Sequence, residues 1–202
     1  MQNNLLITGL LSLLSLTYSG YKQQKKDATN FLSISGPIYV QKKSYQLSWS
    51  SHPDASLYKH EYLAAGDQFP NYKSMVMIDF VLTGSTVDQA VATKISQLEK
   101  LKATLPIVQF NLIANKATGE KIIDCLMEQT AADDRNSVVE RTIYRYKSIL
   151  TKSGQRGVLL FAVSTREYGK GITPFLVRLK TDKPILVNEV AKLSLPEINI
   201  KR

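Results

Sequence analysis

The sequence predicts an α+β domain: a mainly antiparallel sheet with one long central helix and further helices at the C-terminus, layered as an α/β/α sandwich. Three observations carry this reading. Alternating or wholly apolar segments recur on both sides of a single amphipathic stretch, and short turn-rich loops separate them. Apolar residues return to helical spacing only after residue 173. The composition agrees, since 202 residues with 44% hydrophobic and 21% charged side chains suit one globular domain with its own core.

Residues 1–19 read as a signal peptide. No charged side chain occurs in residues 1–21, Leu5–Leu16 is an apolar run, and the small residues Thr17 and Ser19 follow at the −3 and −1 positions of a cleavage site. A helix over that run is about 18 Å long, short of the ~30 Å hydrocarbon core, so the run is not expected to span a membrane. Residues 20–43, with Lys22, Lys25 and Lys26 and then Ser33, Ser35, Gly36 and Pro37, read as a flexible tail. Residues 44–202 then form a single domain.

Within it, Tyr45–Trp49 alternates as a strand does, and Ser51-His52-Pro53-Asp54 is turn chemistry before a second strand at Leu57–Leu63. Ser74–Leu82 is apolar on both faces, as a doubly buried strand is, with Asp79 as the exception. A buried carboxylate needs a partner, and Arg141 or Arg145 on a neighbouring strand is the expected one. Ser85 then offers an N-cap, and Val87, Val91, Ile95, Leu98 and Leu101 at spacings of three and four predict a helix over 86–104 that ends before Pro106.

Ile107–Ala114 alternates, placing Val108, Phe110 and Leu112 on a core face. Asn115–Gly119 turns the chain, and Lys121–Gln129 sets Ile123, Cys125 and Met127 on one face. After a loop at 130–137, Val138–Leu150 and Gly157–Thr165 follow around a third turn. The second of these is apolar throughout and is therefore expected at the centre of the sheet, and the short loops imply a meander. Val76, Ile78, Phe80, Val91, Leu98, Leu160 and Phe161 complete the expected core. Thr173-Pro174 is an N-cap and first-turn pair for C-terminal helices, which Asp182-Lys183-Pro184 breaks or restarts before Pro196.

This order of elements, with Ser44–Leu82, Ser85–Thr104, Ile107–Thr165 and Thr173–Leu195 as its blocks, resembles the PsbP-like α/β/α sandwich over residues 38–195. The resemblance implies a small binding or assembly domain with exported bacterial members. No motif accompanies it, so it assigns no functional residue.

The chemistry narrows by exclusion. One cysteine rules out an intramolecular disulfide, and two histidines supply a zinc site poorly. Walker A and dinucleotide fingerprints are missing, and Gly154-Gln155-Arg156-Gly157 joins two strands where a nucleotide-clamping loop joins two helices. Ser50, His52 and Asp54 lie too close in sequence for a serine triad. His52 or His60 with Asp54 or Glu61 is the one arrangement that suggests a hydrolase, and Cys125, on an apolar strand face, reads as a core thiol.

The formal charge of +9 is the broadest functional signal. Arg141, Arg145 and Lys147 share one strand face, opposite Tyr144 and Tyr146. Given export, an anionic lipid, a polysaccharide or an acidic protein is a more fitting partner than nucleic acid. A second basic cluster, Arg166 and Lys170 beside Gly171 and Thr173, predicts an anion site at a helix N-terminus. The sequence thus describes an exported, non-catalytic binding or assembly module of the bacterial envelope, with no cofactor. The alternatives are a surface module for anionic lipid or polysaccharide, and the hydrolase.

Overall fold

The structure, a computed structural model, describes residues 28–82 and 84–200. The expected signal peptide lies outside the described residues. The strands are β1 (Ile38–Val40), β2 (Lys43–Asp54), β3 (Leu57–Ala64), β4 (Ser74–Val81), β5 (Ile107–Ala114), β6 (Lys121–Gln129), β7 (Val138–Leu150) and β8 (Arg156–Tyr168). The helices are α1 (Val87–Leu101) and α2 (Ile172–Lys192).

All eight strands form one sheet in the order β1-β2-β3-β4-β8-β7-β6-β5, antiparallel at every step. The apolar strand β8 lies between β4 and β7, as its composition requires. The sandwich organised around one long central helix is corrected. Strand accounts for 43% of the structure against 24% helix, and the sheet, not a helix, is its centre. Helix α1 lies mainly against β5, β6 and β7, and α2 rests mainly on β7 and β8 on the opposite face.

The C-terminal segment is one helix, not several. Pro184 sits inside α2, and the helix begins at Ile172 behind Gly171, so Thr173 is not its cap. At α1 the cap is Thr86 in place of Ser85. The Thr86 hydroxyl accepts from the Gln89 backbone N–H, while the Gln89 side chain accepts from the Thr86 N–H.

The segment expected as a tail is packed from Leu32 onward. Leu32, Ile34, Ile38 and Val40 are buried in the α2-side core with Ile198 and Ile200, and the Asn199 N–H donates to the Leu32 carbonyl at 3.0 Å. Apolar side chains at every second position explain this, because one face of an extended chain can be buried without any turn of helix. Val76, Ile78, Phe80, Val91, Leu98, Val108, Ile123, Leu160 and Phe161 are core, but Phe110 is only half-buried and Leu112 is 41% exposed. Alternation assigns a strand's faces but does not say whether anything covers them, and β5 is the edge of the sheet.

Gly157 shows how closely β8 meets β4. A Cβ there would lie 2.5 Å from both the Phe80 ring and the Val81 carbonyl oxygen.

Candidate functional site

The basic face of β7 is an internal anchor. Arg141 is buried; its Nε donates to Asp124 Oδ1 at 2.9 Å and its Nη2 to the Lys183 carbonyl of α2 at 2.6 Å. Arg145 donates from Nε to Glu120 Oε2 at 2.7 Å. Its Nη1 donates to the carbonyls of Val190 and Leu193 at 2.8 and 2.7 Å, closing the C-terminus of α2. Lys147 pairs with the same Glu120 at 3.0 Å. These three residues do not form an open surface for an anionic ligand. Arg141 and Arg145 fasten α2 to the sheet, and strand alternation could not reveal this because it reads a charged residue as exposed.

The expected anion site does not assemble either. Arg166 turns to Glu140, with Nε to Oε2 at 3.0 Å, and its guanidinium stacks 4.0 Å from the centre of the Tyr72 ring. The Glu167 carboxylate lies against Gly171, so an internal acid already occupies the start of α2. Lys170 and Thr173 flank this position without Arg166 beside them.

The two histidines belong to the packing of the N-terminal segment. His60 is fully buried; its Nε2 accepts from the Phe31 N–H at 3.1 Å, and its Nδ1 lies 3.0 Å from the Tyr62 hydroxyl. Burial pushes its pKa down to about 4, so the ring is neutral. His52 stacks on Tyr58 with ring centres 4.1 Å apart and lies 5.6 Å from Phe31. Asp54 bonds within its own turn, to the Ser56 and Leu57 N–H groups. Glu61 points to the opposite face of β3 from His60. The hydrolase grouping is therefore split. Among the described residues, no three His, Cys, Asp or Glu side chains converge to hold a metal ion.

The unusual chemistry lies on the α1 side of the sheet. Asp79 finds Lys59 in place of Arg141 or Arg145. The Lys59 Nζ stands 3.8 Å from Asp79 Oδ2, too far for a hydrogen bond, and that buried oxygen has no hydrogen-bond donor. Burial pushes the Asp79 pKa up to about 6, against the pull of Lys59 and Lys94. Lys94 of α1 is itself buried, with Nζ 4.2 Å from the centre of the Tyr144 ring, and burial lowers its pKa to about 8. Cys125, nearby on β6, is a buried thiol pushed up to about 12 by desolvation, which fits the core reading and not a nucleophile.

Glu61 completes the group. It is half-buried on β3, opposite Met77 of β4 and opposite Trp49 of β2, with its side chain on the face that carries Asp79. No hydrogen bond or ion pair reaches its carboxylate, and burial with the Asp79 charge raises its pKa to about 7, against the pull of Lys59 and Arg166. Directly opposed residues in an antiparallel pair hold their Cβ atoms about 5 Å apart, so the Trp49 and Glu61 side chains leave the sheet as neighbours on one face. Two of the residues were visible in sequence, Asp79 as an acid inside an apolar strand and Glu61 as a carboxylate near the two histidines. Their juxtaposition with Trp49 needs the register, including the bulge between Leu47 and Trp49.

A protein-family model matches residues 32–195. The chain belongs to this family. The family's span begins at the first buried residue of the N-terminal segment and ends just past α2, so it takes in both faces of the sheet and the Trp49–Glu61 group. No curated protein matches the chain. Among solved structures, a Pseudomonas aeruginosa protein of unknown function, PA94, is similar at 12% identity. The match covers 79% of this chain and 96% of that one with a TM-score of 0.36.

Proposed function

We propose that this protein is a binding module, exported to the bacterial envelope, that holds a small organic cation against Trp49 and Glu61. The observation that supports this is the Glu61 carboxylate, which is half-buried, lacks any hydrogen-bond or ion-pair partner and sits opposite the chain's single tryptophan. An ammonium or guanidinium group would pair with that carboxylate while packing on the indole face, a combination in which desolvation strengthens both contacts. The alternative of an anionic lipid or polysaccharide loses its support at β7, where Arg141 and Arg145 are buried and paired.

Trp49 provides the readout. Titration with free arginine or choline at about pH 8 is expected to give a saturable change in tryptophan emission. The apparent affinity should fall roughly tenfold at about pH 6, where Glu61 is mostly protonated. Glu61→Gln should abolish the change. A flat titration at millimolar ligand, or binding that Glu61→Gln leaves intact, overturns the reading. Export is tested separately by the intact mass of the protein from its native envelope.

A further inference from the structure

The two edges of the sheet differ. β1 has three residues and leads into the left-handed Gln41 and Lys42, so it offers little ladder to a partner. β5 has eight residues, IVQFNLIA, and none is charged. Edge strands are ordinarily blunted by lysine, proline, bulges or shortness, and β5 shows none of these: its pairing with β6 runs without a register shift. Leu112 and Ile113 are 41% and 39% exposed, and Asn111 and Ala114 are exposed beside them.

The hydrogen bonding fixes which groups are free. The Asn115 N–H donates to the Glu120 carbonyl at 2.9 Å, so Asn115 points its main chain at β6. In an antiparallel ladder this orientation alternates, so Ile113, Asn111, Gln109 and Ile107 also face β6. Val108, Phe110, Leu112 and Ala114 turn their N–H and C=O groups outward.

We propose that β5 pairs with β5 of a second copy of this chain, antiparallel about a two-fold axis at Asn111. In that register Phe110 opposes Leu112 of the second copy, and Val108 opposes its Ala114. The four outward-facing residues then exchange all their free main-chain groups. The same register sets Asn111 against Asn111, two amides that can bond to each other, and Gln109 against Ile113, so no like charges meet. The neighbouring registers are poorer. One step toward the N-terminus puts Ala114 opposite Pro106, which has no N–H, and one step toward the C-terminus puts Val108 opposite Lys116 in the hairpin loop. A second copy is the fitting occupant because this strand complements itself, an isologous arrangement. Main-chain pairing with a few apolar contacts buries less than a standard interface, so the dimer is a concentration-dependent one.

Sedimentation equilibrium of the purified protein from about 1 to about 500 μM is expected to show a monomer–dimer equilibrium. Asn111→Lys, at an exposed position, sets two cations directly opposite and should weaken dimerisation at least tenfold while circular dichroism stays unchanged. Asn111→Cys should cross-link the two copies under mild oxidation, with the wild type, whose single thiol Cys125 is buried, as the control. A monomer across the whole range, or a dimer that Asn111→Lys leaves intact and Asn111→Cys fails to link, overturns the proposal.

Discussion

Arg141 and Asp124 form a two-pronged ion pair beneath α2, with Nε to Oδ1 at 2.9 Å and Nη2 to Oδ2 at 3.2 Å. Both side chains are 4% exposed, and the same guanidinium reaches a carbonyl of the helix. A buried pair of this kind is costly to break because the surviving charge has no water to turn to. Arg141→Leu is therefore expected to destabilise the protein by about 3–5 kcal/mol, and Asp124→Leu added to it should recover much of the loss. Urea unfolding of the two single variants and the double variant measures this.

His60 gives stability a defined pH dependence. Its pKa is about 4 in the folded protein, below the ordinary imidazole value near 6.5, so between those values the unfolded chain binds more protons than the folded one. The contribution is fully present above about pH 6.5 and is lost as pH falls toward 4, on the order of 3 kcal/mol in all. His60→Gln should flatten that limb of a stability–pH curve measured by denaturant unfolding.

Glu61 acts in the opposite sense. Its folded pKa, about 7, lies above the ordinary carboxylate value, so the folded state holds the proton longer than the unfolded chain does. Stability is lost as pH rises toward and through 7. Relative to wild type, Glu61→Gln should gain stability above about pH 7 and change little near pH 4, a difference that thermal unfolding at the two pH values resolves.

Two apolar residues of the sheet should respond very differently. Phe161→Ala, at a fully buried position on β8, is expected to cost about 3–5 kcal/mol, whereas Leu112→Ala, at the exposed edge, should cost under about 1 kcal/mol. Equilibrium unfolding of both variants tests the boundary of the core directly.

Local patterns in the sequence were enough to find the strands from Tyr45 to Thr165 and the helix at Val87–Leu101, because alternation and 3–4 spacing are properties of a chain's own faces. What they could not carry was contact between distant segments. Arg141 and Arg145 look like solvent-facing charges until α2 is laid across them. Leu112 looks like a core residue until β5 proves to have no neighbour beyond it. Leu32, Ile34, Ile38 and Val40 carried a readable every-second-residue pattern, but the surrounding serines, glycine and proline masked it. The Trp49–Glu61 pairing was out of reach for a further reason: a bulge in β2 sets it, and a single extra residue changes which side chains face each other.

The position of β8 has a consequence for how the chain comes into being. Strands β1–β4 form one local ladder and β5–β7 another, and β8 is the seam that joins them, pairing with β4 from Ser74–Thr165 to Val81–Val158 and with β7 along its whole length. A nascent chain holds two unjoined ribbons until residues 156–168 leave the ribosome. During that interval β4, apolar on nearly every position, waits with a bare flank. Translation halted just before residue 156 would thus not shorten the sheet from one end. It would cleave it through the middle and release the stickiest flank in the molecule, which makes the final strand the step that protects the growing chain from its neighbours.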